Sequence, residues 1–548
     1  MLKRDYGISL GRTLTGDDPV RRNIFLWLPP LLASLTIWAA NAFWPPLYLL
    51  LALIVPPFLI AIYDLIQTRH TLWRLYPFAA RMRWLFEDLR PFFHAYFVEA
   101  DLEGRPFNHD QRALVYARAK GQEDAQPFGT ELDVYMSEYE WLSHSMAPET
   151  DAVHDPRVDV GNAQCKKPYS ASCFNISAMS YGSLGSHAIM ALNKGAKAGN
   201  FYHDTGEGGI SPYHRQGGDL VWELGTGYFG ARTPDGAFDH GMFADKAQDD
   251  QVKMVELKLS QGAKPGKGGM LPGPKVTKEI AEIRNVPEAR DVLSPAAHSA
   301  FTTPIELLEF AAKMRDLSGG KPVGLKFCVG YPHELFALCK AMLKTGIRPD
   351  FIVVDGGEGG TGAAPQEMSD RVGMPLREGL IMTRNALVGC GLKDDIRLAA
   401  AGKVHSAASL AMNFAIGADW CNAARAFMFS LGCIQSQQCH TDKCPTAVAT
   451  TSPARQRGLV VEDKYQRVAS FHEKTVKALR DIMVSSGIRH HTDFEPFHLR
   501  MRLNPSQMKT VDMIYEFLEP GQLLGDPKAT RYAHHWAMAQ AESFRPNC

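Results

Sequence analysis

The stretch Val323–Gly362 reads VGLKFCVGYPHELFALCKAMLKTGIRPDFIVVDGGEGGTG. Val323–Cys328 is an apolar run of strand length. Pro332–Thr345 has the pattern of an amphipathic helix. Phe351–Val354 is a second apolar run, and a glycine-rich loop follows it. Strand, helix, strand in this order predicts two parallel neighbours in one sheet.

Working outward, the same unit recurs. Further strands are predicted at Phe174–Met179, Phe201–Asp204, Val221–Leu224, Met254–Leu259, Ile396–Ala400 and Asp419–Asn422. Helical patterns at Ser186–Ala198 and Pro304–Leu317 lie between them. Eight such runs predict an α/β fold, a closed (β/α)8 barrel, over residues 156–450. Residues 67–155 read as a mostly helical linker and 451–548 as a helical C-terminal segment.

The chain has 548 residues, 59 basic and 59 acidic. A zero balance leaves no basic footprint and so gives no support for a nucleic-acid partner. Ten cysteines are spread thinly, unlike the framework of a small secreted domain, which suggests a reducing compartment.

No charged residue occurs from Asn23 to Tyr63. That is about twice the length of one bilayer crossing. The run breaks at Asn41–Pro46, predicting a two-helix transmembrane hairpin, 23–66, with spans near 23–42 and 46–66. Lys3, Arg4, Arg12, Arg21 and Arg22 precede it; Arg69, Arg74, Arg81 and Arg83 follow. Basic flanks on both sides place residues 1–22 and the catalytic domain in the cytoplasm, on a membrane crossed twice.

Chemistry concentrates after the predicted strands. Cys433, Cys439 and Cys444 are the one tight thiol cluster. Three thiolates suit an iron–sulfur cluster; His440 would instead complete a Cys3His zinc site; free thiols are the plain alternative. Glu207 stands in Gly206-Glu207-Gly208-Gly209, where barrel enzymes carry catalytic groups, although a solvated turn reads the same way. Lys258, Lys264 and Lys267, joined by Arg284, would gather carboxylates or decorate a basic surface loop. Gly359 and Gly360 lie in a loop open to close backbone approach by a flat or phosphorylated ligand. Gly402 and Arg425 follow the last two strands, the frequent phosphate site of such barrels. Lys326 sits inside a strand, either facing an electron-rich ring or snorkelling to an edge.

These stretches together resemble the FMN-binding synthase domain of glutamate synthases. The matching residues are Ser177–Ser183, Thr205–Gly209, Gln261–Gly266, Leu271–Gly273, Gly359–Ala363 and the cysteine cluster ending in Cys444-Pro445, in family order over roughly 165–450. The resemblance implies FMN and a [3Fe-4S] cluster held by Cys433, Cys439 and Cys444. It implies reductive amination of 2-oxoglutarate with ammonia to L-glutamate. Glu207 would handle protons, with Lys264 beside it in the catalytic set. Lys258, Lys264 and Arg284 would bind substrate. Ser180, Lys326, Gly359, Gly360, Gly402 and Arg425 would line the FMN pocket.

Met270 stands where the family places a glutamine and Lys267 where it places an acid, which points to another 2-oxo acid, an amine or an N-alkylated amino acid as the alternative substrate. Electrons would come from a separate reductase or ferredoxin. Ammonia would come free or from a separate glutaminase subunit, because a membrane hairpin replaces the family's amidotransferase domain. A membrane-bound flavin and iron–sulfur module for electron transfer or redox sensing is the rival from another class.

Overall fold

The computed structural model describes residues 19–547, with side chains from Trp27 onward. Lys3, Arg4 and Arg12 lie outside the described residues, and so do the side chains of Arg21 and Arg22. The chain divides into two compact units, one ending at Asn108 and one starting at His109.

In the first unit a helix over Pro19–Ala42 is followed by a 3-10 turn, Pro45–Leu50, and a helix over Leu51–Ile66. The break falls where the asparagine and prolines predict it, and Tyr48 Oη donates to Asn41 Oδ1 across it at 2.7 Å. Among the described residues one stretch, Pro45–Ile66, is long and apolar enough to span a bilayer (22 residues, mean hydropathy 2.4). The two-span hairpin is therefore met by one qualifying span.

The second unit holds a closed barrel of eight parallel strands. They are β1 Phe174–Ile176, β2 His203–Asp204, β3 Leu220–Leu224, β4 Val252–Lys258, β5 Val323–Phe327, β6 Phe351–Asp355, β7 Arg397–Ala401 and β8 Trp420–Ala423. Each overlaps a predicted strand. In the decisive stretch, Pro332 opens the helix Pro332–Thr345, where its missing N–H is harmless. Gly346 ends it at φ +71°, a conformation glycine adopts without strain. Thr303 and Glu306 close a reciprocal capping box on the next-earlier helix, Pro304–Leu317.

Two antiparallel strands, Arg157–Val160 and Tyr169–Ser172, pack under the barrel. Val158, Val160 and Ala171 join Tyr202, Val221, Met254, Phe351, Val353, Ala399, Ala401 and Trp420 in one buried cluster. Val221, Phe351 and Trp420 lie at the start of their strands, so the hairpin plugs the N-terminal end of the barrel with apolar side chains. The helix Val461–Ser486 lies along Ser186–Gly199. A Cβ at Gly195 would come within 2.4 Å of Val468, so glycine sets that close approach.

Two regions read as helical differ. Residues 120–139 carry no helix, and Glu140–Leu142 forms a strand. It pairs with Leu499–Asn504, which pairs in turn with Gln507–Thr510. The sequence Leu499-Arg-Met-Arg-Leu503 has the two-residue alternation of a strand, but five residues do not separate it from a helix end without its distant partner.

Candidate active site

Glu223 and Glu256 are register partners on β3 and β4, and Lys258 and Lys326 on β4 and β5. All four side chains are buried. Lys326 Nζ donates to Glu223 Oε2 at 2.6 Å and lies 3.4 Å from Glu256 Oε1. Lys258 Nζ lies 3.6 Å from Glu223 Oε1 and 3.3 Å from Glu207 Oε2. A chain of alternating carboxyl and ammonium groups thus runs from the barrel interior to the mouth: Glu256, Lys326, Glu223, Lys258, Glu207. Lys326 does not snorkel; it is locked between two carboxylates.

The fields inside this chain are strong. Burial pushes Glu223 up, but the Lys258 and Lys326 ammoniums outweigh it and hold its carboxyl below the ordinary range. Burial pushes Lys326 down, but Glu223 and Glu256 outweigh it and raise it well above its ordinary value. Lys258 is raised likewise, by Glu207 and Glu223 against burial. Asp204 is pushed up to about 7, first by burial and then by Glu223. Glu256 is also raised, mainly by burial. Asp204, Glu223 and Glu256 present carboxylate oxygens within 4.8 Å of one another. Burial thus favours the protonated forms of Asp204 and Glu256, while the two ammoniums favour the ionised form of Glu223 between them.

At the mouth, Glu207 is partly exposed, with 18% of its side chain accessible. Its carboxylate lies under the loop after β4: a Cβ at Gly269 would come within 2.0 Å of Glu207 Oε1. Any larger residue there would push the Glu207 carboxylate aside. The same excursion, residues 259–303, carries Lys264 and Arg284. Lys264 is buried and donates to Ala363 O at 2.9 Å, tying this loop to the one after β6. Burial lowers Lys264, partly offset by Glu207. Arg284 is pushed down to about 10 by burial, and Glu207 opposes the shift. Arg284 Nη2 donates to Ser180 Oγ at 3.3 Å and Tyr181 O at 3.0 Å, while its Nε is buried without a hydrogen-bond partner. Lys267 and Met270 are exposed on the same excursion, Met270 at 44%.

The structure therefore brings Glu207, Lys258, Lys264, Arg284 and Ser180 to one mouth. The late loops form a second group. Gly356 N donates to Ala401 O at 2.8 Å, and Gly402 follows at φ +151°. Arg425 Nη2 donates to Glu358 O at 2.7 Å, and a Cβ at Gly360 would come within 2.7 Å of the Arg425 side chain. Backbone without Cβ atoms and a guanidinium beside it suit a flat ring bearing a phosphate.

The cysteine loop has its own strain. Gln435, Gln437, Asp442 and Ala447 all have φ between 56° and 63°. Each left-handed non-glycine costs about 1–2 kcal/mol, so local preference alone does not hold this loop. Tyr116 Oη donates to Cys433 O at 2.6 Å. Lys275, almost wholly buried, donates to Ser183 O at 2.8 Å, Cys439 O at 3.3 Å and Ala449 O at 3.4 Å. His440 is exposed. A structural zinc site closes four ligands in one tetrahedral shell, whereas this loop supplies three thiols and an exposed His440. A cluster of several irons spreads its thiolates further apart, and the donor set suits it.

Sequence reasoning missed Asp204, Glu223, Glu256, Lys275 and His298. His298 Nε2 donates to Lys258 O at 2.8 Å, leaving Nδ1 buried without a partner, and burial pushes the ring down to about 4. The one sequence signal was polar residues at every second position of an otherwise apolar strand, as in Glu256 and Lys258.

Residues 126–489 match the conserved region in glutamate synthase. A glutamate synthase large subunit-like protein of Bacillus subtilis is 35% identical over 82% of this chain and 94% of its own length. The archaeal-type glutamate synthase [NADPH] of Thermotoga neapolitana is 32% identical over 57% of this chain, which spans 58% of that relative's length. Among solved structures, a flavocytochrome b2 mutant with pyruvate bound aligns over 76% of this chain and 85% of its own, at 13% identity and a TM-score of 0.40, too distant to bear on the site. On the family match and the Bacillus relative, this chain belongs to the glutamate synthase family of oxidoreductases.

Proposed function

We propose that the protein is an FMN- and [3Fe-4S]-dependent, membrane-tethered oxidoreductase that aminates 2-oxoglutarate or a close 2-oxo acid reductively. The observation that carries this reading is the mouth itself: one partly exposed carboxylate, Glu207, ringed by Lys258, Lys264 and Arg284, beside glycine loops. A dicarboxylate substrate needs fixed cations, and Lys264 and Arg284 come from a single excursion whose position is pinned at Ala363 and Ser180.

FMN, when bound, supplies the hydride for the imine carbon. The protein's residues do the rest. Lys264 and Arg284 hold the carboxylates and orient the carbonyl carbon. Ammonia adds to that carbon and water leaves, and Glu207 moves the protons this exchange requires. Lys258, held against Glu207, keeps a proton donor at hand. Arg425 and the loops carrying Gly359, Gly360 and Gly402 would hold the ring and phosphate, with Ser180 and Lys326 nearer the reacting face. Cys433, Cys439 and Cys444 would hold the cluster; as free thiols, Cys433 is pushed up to about 12 by burial and is inert, and metal coordination is what ionises such a group. Electrons come from a separate donor, and ammonia from solution or a separate glutaminase. The hairpin over 23–66 is read as crossing the membrane twice, supported by the apolar stretch Pro45–Ile66, and the basic residues Arg69, Arg74, Arg81 and Arg83 beyond it favour the cytoplasm for the catalytic unit.

The test is to purify the protein in detergent without oxygen, reduce it, and add 2-oxoglutarate with ammonium while recording the flavin spectrum. Rapid reoxidation with glutamate formed is expected. A bound flavin that stays reduced rejects this substrate. A second reading, another 2-oxo acid at the same site, is favoured by exposed Met270 next to Gly269, the residue that covers Glu207. A substrate panel separates the two.

A further inference from the structure

The segment after the membrane span carries a feature the catalytic reading does not use. The helix Arg81–Phe93 continues into a π-helical turn, His94–Val98. Three faces can be distinguished on it. Arg81 and Trp84 face the end of the span. Arg83, Glu87, Arg90 and His94, at spacings of three and four, form a polar stripe. Met82, Leu85, Phe86, Phe93, Tyr96 and Phe97, also at helical spacing, form an apolar stripe, and every one of them is exposed. Phe86, Tyr96 and Phe97 are 59%, 65% and 81% exposed. A contiguous aromatic stripe of this size is not ordinary surface.

The position of the stripe says what covers it. Asp64, fully buried in the last turn of the apolar stretch Pro45–Ile66, takes the Arg81 guanidinium in a forked pair, with Nη2 at 2.6 Å from Oδ1 and Nε at 3.0 Å from Oδ2. Asp64 Oδ2 also accepts from Phe78 N at 3.0 Å. The start of the helix is thereby bolted to the end of the span. Around that bolt His70, Trp73 and Trp84 form an aromatic cluster, and the Arg81 guanidinium lies 4.3 Å from the Trp73 ring centre. Tryptophan and arginine at the end of an apolar span mark the headgroup level. A helix that begins at that level with a charged stripe and an apolar stripe suits the plane of the interface.

We propose that Arg81–Val98 lies in the membrane surface, with the stripe from Met82 to Phe97 inserted among lipid acyl chains and Arg83, Glu87 and Arg90 turned to the headgroups and water. The occupant is lipid and not protein, because the helix that carries the stripe starts at Arg81, which is tied to Asp64 at the end of the apolar span, at the level the tryptophans mark. The inference rests on Pro45–Ile66 crossing a bilayer, and gives the span a second, in-plane anchor that fixes how the chain leaves the membrane.

The test is photocrosslinking of the full-length protein in phospholipid vesicles. A genetically encoded benzophenone amino acid is placed singly at Phe86, Phe93 or Phe97, at Glu87 on the polar stripe, and at Leu53 within the span. Lipid adducts are read by mass spectrometry. Adducts at Phe86, Phe93 and Phe97 comparable to Leu53 and at least several-fold above Glu87 are expected. Crosslinks from Phe86, Phe93 and Phe97 to residues 109–547, or to a second copy of the chain, with Leu53 still labelling lipid, overturn the proposal and make the stripe a protein interface. Absence of lipid adducts at Leu53 removes the membrane reading beneath it. Equal lipid labelling at Glu87 and Phe86 rejects the assigned orientation.

Discussion

At the N-terminal end of the barrel, Val221, Met254, Phe351, Val353 and Trp420 pack against the plugging hairpin. Two residues further along the same strands stand Glu223, Glu256 and Asp355, and two beyond Glu256 stands Lys258. The backbone is the same; the lower layer is buried, and in the upper layer Glu223, Glu256 and Lys258 are buried while Asp355 is half-buried. The lower layer stabilises the fold by roughly 1.5–3 kcal/mol per large apolar side chain. The upper layer at best breaks even, because removing ions from water offsets their attraction. A fold selected only for stability has no use for the upper layer. Its place directly beneath Glu207 is the physical argument that it serves the chemistry.

The largest expected effect separates the mouth from everything below it. Glu207→Gln should lower turnover by about two to four orders of magnitude while thermal stability stays near wild type; unchanged kcat would take Glu207 out of the mechanism. Next comes the upper layer. Lys326→Met leaves Glu223 and Glu256 without their shared ammonium and should destabilise the protein by about 3–5 kcal/mol in denaturant unfolding. A loss under 1 kcal/mol would mean the chain of charges is not buried as described.

Asp204 supplies a pH signature. Its folded-state pKa of about 7 lies above the ordinary 3.8, so the folded state binds the proton more tightly. Its contribution is fully present below about pH 4 and is lost as pH rises to about 7, with a slope of up to ~1.4 kcal/mol per pH unit. Asp204→Asn should flatten stability against pH across that window, and a profile identical to wild type would remove Asp204 as the source. The smallest effect belongs to the lower layer. Tyr202 Oη donates to Asn422 Oδ1 at 2.6 Å and accepts from Trp420 Nε1 at 2.8 Å. Tyr202→Phe should cost about 1–3 kcal/mol, equally at every pH tested. A pH-dependent loss would break the division between a neutral lower layer and a titrating upper one.

Much of this was legible in the residues. The eight strands were, because apolar runs, amphipathic helices and glycine turns are local signals. Glu207, Lys264, Arg284 and the three cysteines were visible as motifs on loops. Glu223 was not: in Leu220-Val-Trp-Glu-Leu224 one acid in an apolar strand has no meaning until Lys326, about a hundred residues later, arrives beside it. His298 and Lys275 were hidden for the same reason, since their partners are backbone carbonyls that closure of the barrel brings near. The three-stranded sheet joining Glu140–Leu142 to Leu499–Thr510 was also invisible, as each strand is too short to declare itself alone.

The sequence by itself determined the order of strands and helices, the apolar span after the prolines at 45 and 46, and the set of loops able to carry chemistry. These follow from periodicity, from proline and glycine geometry, and from side-chain type, all of which act within a few residues. Only the tertiary structure decided which charges meet. Register across the closed barrel sets Glu223 beside Glu256 and Lys258 beside Lys326. The energy of a buried ion depends on the distance to its counter-ion and on exclusion of water, and neither exists until the chain has closed.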